Sequence, residues 1–467
     1  MLTRRRFIGG ATAAGTAGVL GTNAVTRLSQ AGAQQGNQRN VLLLYIDDLR
    51  DWVGYLDSHP GVKTPNIDAL RAESFSFDNA YCSVPSCLGS RASMMWGISP
   101  HRAGVEATGG ESLRSYARLV NSGRLTIPEV LGSRGWTTYN RGKVFHNALP
   151  GRWSVSDTYR ELPQILNRRA PSYRQTLFEV GVMPASEVHE DQRTADWFTG
   201  QIANPRLPFF MAVGLYQPHV PWRVPKWAFD QHPINDVVIP EPNCQNDLAD
   251  VPRMGKVLAR RPVLFNNTKS QNQLVNEKRA RRRLVQAYLA SITHTDAMVG
   301  QIMDALAASR HDDNTTVMLV SDHGYHLGEK LHWRKSTLWN QATRVPLLVR
   351  TPGLAAGGRF AKPVSLLDAA PTILDMAGAG GFQGFTGKSL VGITRREADG
   401  RPAIMHWEGN HSIRWRNFRY TLYAGGGREL YDLASDPSEC TNLIGQAAHR
   451  RAARLLDTKL RRFLSTR

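Results

Sequence analysis

Cysteine is scarce in this chain: Cys82, Cys87, Cys244 and Cys440 are the whole complement of 467 residues. Four cysteines at these spacings build no disulfide framework and match no zinc motif. The fold must therefore rest on a hydrophobic core, with room for one bridge in an oxidising compartment. Long apolar runs are missing too. No stretch approaches the roughly 20 apolar residues a bilayer-spanning helix needs, so no stable membrane insertion is expected. Acidic residues are few against basic ones, 39 to 58, leaving a formal net charge of +19. Such a charge attracts nucleic acid, acidic membrane or acidic polysaccharide, although a solvated basic surface carries it equally well. No helix-turn-helix, zinc-finger or RNA-binding signature accompanies it, so no nucleic-acid partner is expected. What remains is ordinary globular material, 41% hydrophobic and 21% charged. The length suits one large domain with an appendage.

The first residues are more specific. Arg4, Arg5 and Arg6 precede Phe7 and a mildly apolar stretch rich in Ala and Gly, and Ala31 and Ala33 make an A-x-A pattern. Residues 1–33 read as a twin-arginine export signal, implying the twin-arginine translocase as a partner and a periplasmic or secreted location.

Three apolar runs then share one form. "VLLLYI" stops at Asp47 and Asp48, "PFFMAVGLYQPH" runs into His219, and "TTVMLVSDHGYH" runs into Asp322 and His323. Continuous apolar runs of this length are strands buried on both faces of a parallel sheet. Ligands of open α/β sheets bind beyond the carboxyl ends of the strands, so the three runs point to one shared site. Adjacent carboxylates on a strand would face opposite ways, but a turn at its end lets both converge on a hard divalent cation.

Between the runs, Leu284, Tyr288, Ile292, Val299, Ile302, Met303 and Leu306 recur at helical spacing. The "KRARRR" before them reads as a solvated face. Residues 228–275, rich in Pro, Asn and Asp, form a long excursion expected to wall the site. Residues 365–381 read as a helix ended by glycines, the aromatic runs flanking Gly425–Gly427 as an antiparallel hairpin, and 447–466 as a basic helix. The expected architecture is α/β: a large, mostly parallel sheet flanked by helices over 38–380, then a smaller C-terminal subdomain with a short antiparallel sheet over 381–467.

In this order, "YIDDLR", "TPNIDALRAESFSFDNAYC", "CLGSR", "GKVFH", "QPHVPW", "SDHGYHLGEKLHWRKS" and "ELYDLASDPSECTNL" resemble the type I, formylglycine-dependent sulfatases, and among them iduronate-2-sulfatase and its bacterial relatives. The resemblance covers about residues 38–445 and implies an alkaline-phosphatase-like fold. It further implies that Asp47, Asp48, Asp322, His323 and the modified Cys87 bind one divalent cation, usually Ca²⁺. Cys87 is implied to become formylglycine (3-oxoalanine) through a formylglycine-generating enzyme. The hydrated aldehyde attacks the sulfur of a sulfate ester, and its second hydroxyl then expels the sulfate. Arg91 would hold the modified residue, Lys143 and His146 would bracket it with His146 as the base, and His219 and Lys335 would grip the sulfate, one of them protonating the leaving alcohol. The implied substrate is a sulfated saccharide.

Other residues have plainer readings. Cys82 reads as a small buried residue, and Cys244 and Cys440 as structural. His326 and His332 read as pocket wall. Trp222, Arg223 and Trp333 read either as contacts to the sugar or as exposed packing. The chain departs from the family at one point: Gly89 stands where the Cys-x-Pro-Ser-Arg motif has Pro. Gly relaxes a backbone that Pro would restrain, and it is tolerated near a helix start, where Pro suits the first position. That departure keeps two other readings open. One is a metal-dependent hydrolase of phosphate or other esters using unmodified Cys87, Ser86 or Ser90. The other is a non-catalytic protein that binds sulfated glycans.

Overall fold

The computed structural model describes residues 38–157, 180–240, 244, 247–261, 278–354, 356–394 and 401–466. The export signal expected at 1–33 lies outside them, as does the later part of the excursion, 262–275.

The main sheet has eight strands: β1 (Asn40–Ile46), β2 (Phe75–Phe77), β3 (Thr137–Gly142), β4 (Val155–Asp157), β5 (Phe209–Leu215), β6 (Thr315–Ser321), β7 (Leu347–Arg350) and β8 (Arg359–Phe360). Their order across the sheet is β8-β2-β7-β6-β1-β5-β3-β4. The block β6-β1-β5-β3-β4 is parallel throughout, whereas β7 runs antiparallel to both neighbours. The three apolar runs are thus β1 at the centre with β6 and β5 on either side.

Alternation along β1 explains why these runs are apolar throughout. Val41, Leu43 and Tyr45 enter one core, while Leu42, Leu44 and Ile46 enter the other. Helices cover both faces: α1 (Pro65–Glu73), α2 (Cys87–Met95), α3 (Glu190–Ile202), α4 (Lys278–Ala307) and α5 (Ala369–Ala377). Helices α2 and α5 pack on the first face, and α1, α3 and α4 on the second. The helical face expected on α4 is buried, with Met303 partly so. Its basic start is not wholly a solvated face, because Arg281 is buried and donates to the Pro240 carbonyl at 3.0 Å.

Four sequential antiparallel strands follow: β9 (Ala403–Trp407), β10 (Asn410–Trp415), β11 (Phe418–Leu422) and β12 (Arg428–Asp432). The basic helix α6 (Arg450–Ser465) lays Leu456 and Leu460 against Ile404, Ile413, Tyr420 and Leu430 of this sheet. Residues Arg39–Arg467 make one compact unit, so the C-terminal sheet is continuous with the larger part. Cys244 and Cys440 form a disulfide across 196 positions, and Cys82 and Cys87 are free and buried. No described helix is long and apolar enough to cross a membrane.

Candidate active site

Parallel pairing aligns the strand ends. Ile46 of β1 lies beside Ser321 of β6 and Leu215 of β5, and Gly142 of β3 lies beside Gly214 of β5. The residues that follow therefore emerge at one edge: Asp47 and Asp48, Asp322 and His323, His219, and Lys143 with His146. Asp48 sits at φ 61°, in the left-handed region that side chains other than Gly rarely occupy. That turn brings two successive carboxylates to one side. The amide of Asp48 donates to Asp322 Oδ1 at 3.0 Å, which stitches the two strand ends together. Gly214 serves the fourth strand, since a Cβ there would lie 2.3 Å from the backbone of Lys143.

Cys87 is the first residue of α2, so its thiol sits at the positive end of the helix, only 4% exposed. Its Sγ lies 3.0 Å from Lys335 Nζ and 3.2 Å from His323 Nε2. Burial opposes ionisation, yet Lys143, Lys335 and His323, with a hydrogen bond to His146, hold the thiol well below its ordinary pKa. Lys335 Nζ also reaches Asp48 Oδ1 at 2.6 Å, and Lys143 Nζ is paired with Asp47 Oδ2. Burial opposes the charge of Lys335, but Asp48 and Cys87 keep it protonated by raising its pKa.

Arg91, fully buried one turn along α2, binds Asp322 Oδ2 at 2.8 Å and Asp47 Oδ1 at 3.1 Å, and donates to the carbonyls of Lys143 and Val144. Its guanidinium lies over the Tyr45 ring at 4.3 Å. One side chain thus fixes the ends of β1, β6 and β3. The sequence assigned Arg91 to the modified residue, whereas in this geometry its donors go to the carboxylates and carbonyls around it.

The donor set fits a hard divalent cation. Donor atoms of Asp47, Cys87, Asp322 and His323 lie within 4.8 Å of one another, and so do those of Asp47, Asp48, Cys87 and His219. Asp48 Oδ2 is buried without a hydrogen-bond partner, an orphan acceptor that a cation would satisfy. Burial pushes the Asp322 carboxyl up to about 7, although Arg91 and His323 oppose it. Such crowding of buried carboxylates is what a cation relieves.

His219 hydrogen-bonds the Val220 carbonyl through Nδ1 at 2.6 Å, which directs its other nitrogen to the site. The bond to a carbonyl and the place in the pocket coexist. His146 is half-buried, with Nδ1 buried and unpartnered. Every residue expected at the site is therefore brought to it.

Other expectations fail. Trp222 and Trp333 are fully buried and belong to the core under α4. Trp222 donates to the Pro218 carbonyl at 2.7 Å and meets Tyr288 and Tyr325 edge-on, so neither ring can meet a sugar. Arg223 is different: it stays partly exposed, 3.9 Å from Glu187, so both of its readings stand. His326 and His332 are interior rather than wall: His326 binds Thr337, and His332 binds the Lys335 carbonyl at 2.8 Å, steadying the loop that carries Lys335. Of the long excursion, Val238, Ile239 and Pro240 line a cleft of 650 Å³ together with Arg50, Asp51 and Trp52, which begins two residues past Asp48.

Some supporting residues carried no signal in the sequence. Asp191 accepts from the amides of Tyr216 and Gln217 at 2.7 and 2.9 Å and so sets the loop bearing His219. Tyr288 donates to the Asp48 carbonyl at 2.8 Å. Ser90, fully buried, donates to the Asp322 carbonyl at 2.5 Å. Gly89 is the third helical residue, not the first. A Cβ there would stand 2.7 Å from the Val105 carbonyl oxygen and 2.8 Å from Val84 Cβ. The residue is small because a neighbouring loop fills its space.

Comparisons with known proteins give a consistent family likeness. The family model named Sulfatase matches residues 39–379, and the model for the C-terminal region of N-sulphoglucosamine sulphohydrolase matches residues 328–466. A sulfatase of Formosa agariphila is 31% identical over 423 residues, 86% of this chain and 82% of that protein. Mouse iduronate 2-sulfatase is 30% identical over 356 residues, 69% of this chain and 62% of that protein. A solved phosphonate monoester hydrolase of Agrobacterium radiobacter superposes with a TM-score of 0.75 at 21% identity, covering 91% of this chain and 96% of that one.

Proposed function

The chain belongs to the sulfatase family and is a sulfuric ester hydrolase, and from that premise we propose that it is exported and removes sulfate from a sulfated carbohydrate by means of a formylglycine made from Cys87. The observation that carries the proposal is the setting of Cys87, a buried helix-start residue with Sγ 3.0 Å from Lys335 and 3.2 Å from His323. A divalent cation, Ca²⁺ by the oxygen-rich donor set, would be held by Asp47, Asp48, Asp322, His323 and residue 87. When present, the hydrated formylglycine supplies the attacking hydroxyl and the cation lowers its pKa.

The remaining work falls to the chain. Lys335 and His219 receive the sulfate oxygens, and Lys143 adds a second buried cation, so positive charge is already in place where negative charge develops. His146, hydrogen-bonded to residue 87, is placed to take the proton released when sulfate is expelled. His219, steadied through Nδ1, passes a proton to the leaving alcohol from its other nitrogen. Arg91 keeps the metal-binding carboxylates in position.

A saccharide with an acidic backbone, such as a 2-O-sulfated uronic acid or a related algal or animal polysaccharide unit, suits the net charge of +19. The likeness to iduronate 2-sulfatase supports the same class. Export is supported by the Cys244–Cys440 bridge, which belongs in an oxidising compartment.

Mass spectrometry of the peptide spanning residues 81–91 from the native host tests the central step. A mass corresponding to formylglycine at position 87 is expected, and cysteine alone would rule the mechanism out. Turnover of aryl sulfate is expected to exceed that of aryl phosphate. The reverse order would favour an unmodified nucleophile, and binding of sulfated glycan with no turnover would favour a binding protein.

A further inference from the structure

We propose that His101, Glu106, His406 and His411 form a second metal site, for zinc or a similar first-row divalent cation, which ties the loop behind the catalytic helix to the C-terminal sheet. The four residues converge from two regions about three hundred positions apart, and their ligand atoms lie within 4.8 Å of one another. His101 Nδ1 is 2.9 Å from Glu106 Oε1, His406 Nδ1 is 2.9 Å from His411 Nδ1, and His406 Nδ1 is 3.5 Å from Glu106 Oε1. Tetrahedral zinc with ligands at about 2.0–2.1 Å sets neighbouring donors roughly 3.3 Å apart, close to this spacing.

The scaffold is fixed from both sides. His406 and His411 are directly opposed across β9 and β10, joined by a tight turn. The amide of His406 donates to the Ser83 carbonyl at 2.9 Å, and that of Glu408 to the Glu106 carbonyl at 3.2 Å, which holds the hairpin against the loop. Two facing imidazole nitrogens make one donor and one acceptor at best, and His406 Nε2 is buried with no partner.

Ligand chemistry separates this site from the catalytic one. Three imidazoles and one carboxylate select a borderline metal such as zinc, and four protein ligands make a closed, structural site. Another group among the described residues, His189, Asp191 and His294, offers three ligands against the four gathered here. The loop of Glu106 continues from Val105, whose carbonyl abuts Gly89 in the catalytic helix, so the metal would brace the back of the helix carrying Cys87.

The test is metal analysis of the purified full-length chain, stripped with chelator and dialysed with Zn²⁺ in the presence of saturating Ca²⁺, with Co²⁺ as an optical probe. Wild type is expected to retain one zinc per chain and to give the intense visible bands of tetrahedral Co²⁺. Both His101→Ala, at a partly exposed ring that can be removed without disturbing the core, and His411→Gln are expected to lose that zinc and those bands. Absence of retained zinc in wild type, or zinc and bands undiminished in both folded variants, would overturn the proposal.

Discussion

Two of the buried charge networks among the described residues, one at the ends of the parallel strands and one beneath the C-terminal sheet, differ in what they surround. In the second, Arg419 and Glu439 pair at 2.7 Å, both fully buried. Arg419 also donates to the Leu338 carbonyl at 2.6 Å, and Glu439 accepts from the Asn340 amide at 2.7 Å. Lys330 binds Asp247 and the Glu439 carbonyl, while Glu429 accepts from Trp339 and Tyr423. These bonds join segments of chain around no nucleophile. The strand-end network instead closes on Cys87 and leaves Asp48 Oδ2 and His146 Nδ1 without partners. Burial of charge is common to both. Buried atoms outside hydrogen bonds also occur in both, since the Arg419 Nε–Glu439 Oε1 contact is an ion pair only, so the nucleophile at its centre is what distinguishes the site that does chemistry.

Substitutions sharpen this contrast. Cys87→Ala should abolish aryl sulfate turnover, by about 10⁴-fold or more, while the melting curve hardly moves. Arg419→Ala should do the opposite. Leaving Glu439 buried and unpaired costs about 3–5 kcal/mol in denaturant titrations, with turnover per folded molecule unchanged. A loss of turnover equal to that of Cys87→Ala would break the distinction. Lys335→Ala should lower kcat by about 10²–10³-fold, since it removes a preorganised cation. Gly89→Ala pushes a methyl against the Val105 carbonyl and Val84, and should destabilise by about 1–3 kcal/mol.

A further expectation is a change of slope with pH. Burial raises the Glu429 carboxyl from 4.5 to about 8, with Lys330 opposing. A carboxyl raised in the folded state takes up a proton on folding between those values, so its contribution makes stability fall as pH rises from about 4.5 to about 8. Thermal melts of Glu429→Gln across that window should show a shallower decline than wild type. An identical slope would remove Glu429 from the account.

Much of the site could be read before any geometry was known, and the reason is local. A strand buried on both faces must be apolar along its length, so an abrupt Asp-Asp or Asp-His at its end marks the edge of the sheet where ligands bind. The supporting residues lacked such a mark. Asp191 and Tyr288 act from helices elsewhere in the chain through bonds to backbone groups. Trp222 and Trp333 looked like binding residues because they stand next to His219 and Lys335 in sequence motifs, yet both point into the core.

The sequence by itself determined the strands, their polar ends, the nucleophile candidate and the family, because each depends on short-range pattern and on residue chemistry. Only the tertiary structure decided how those pieces meet. It set the left-handed turn at Asp48 that makes two carboxylates converge, the single guanidinium of Arg91 that locks three strand ends, and the loop packed on Gly89. It also chose which two cysteines pair and brought three histidines and a glutamate together. Such contacts join residues tens to hundreds of positions apart, and packing of the whole chain, rather than any local preference, places them at bonding distance.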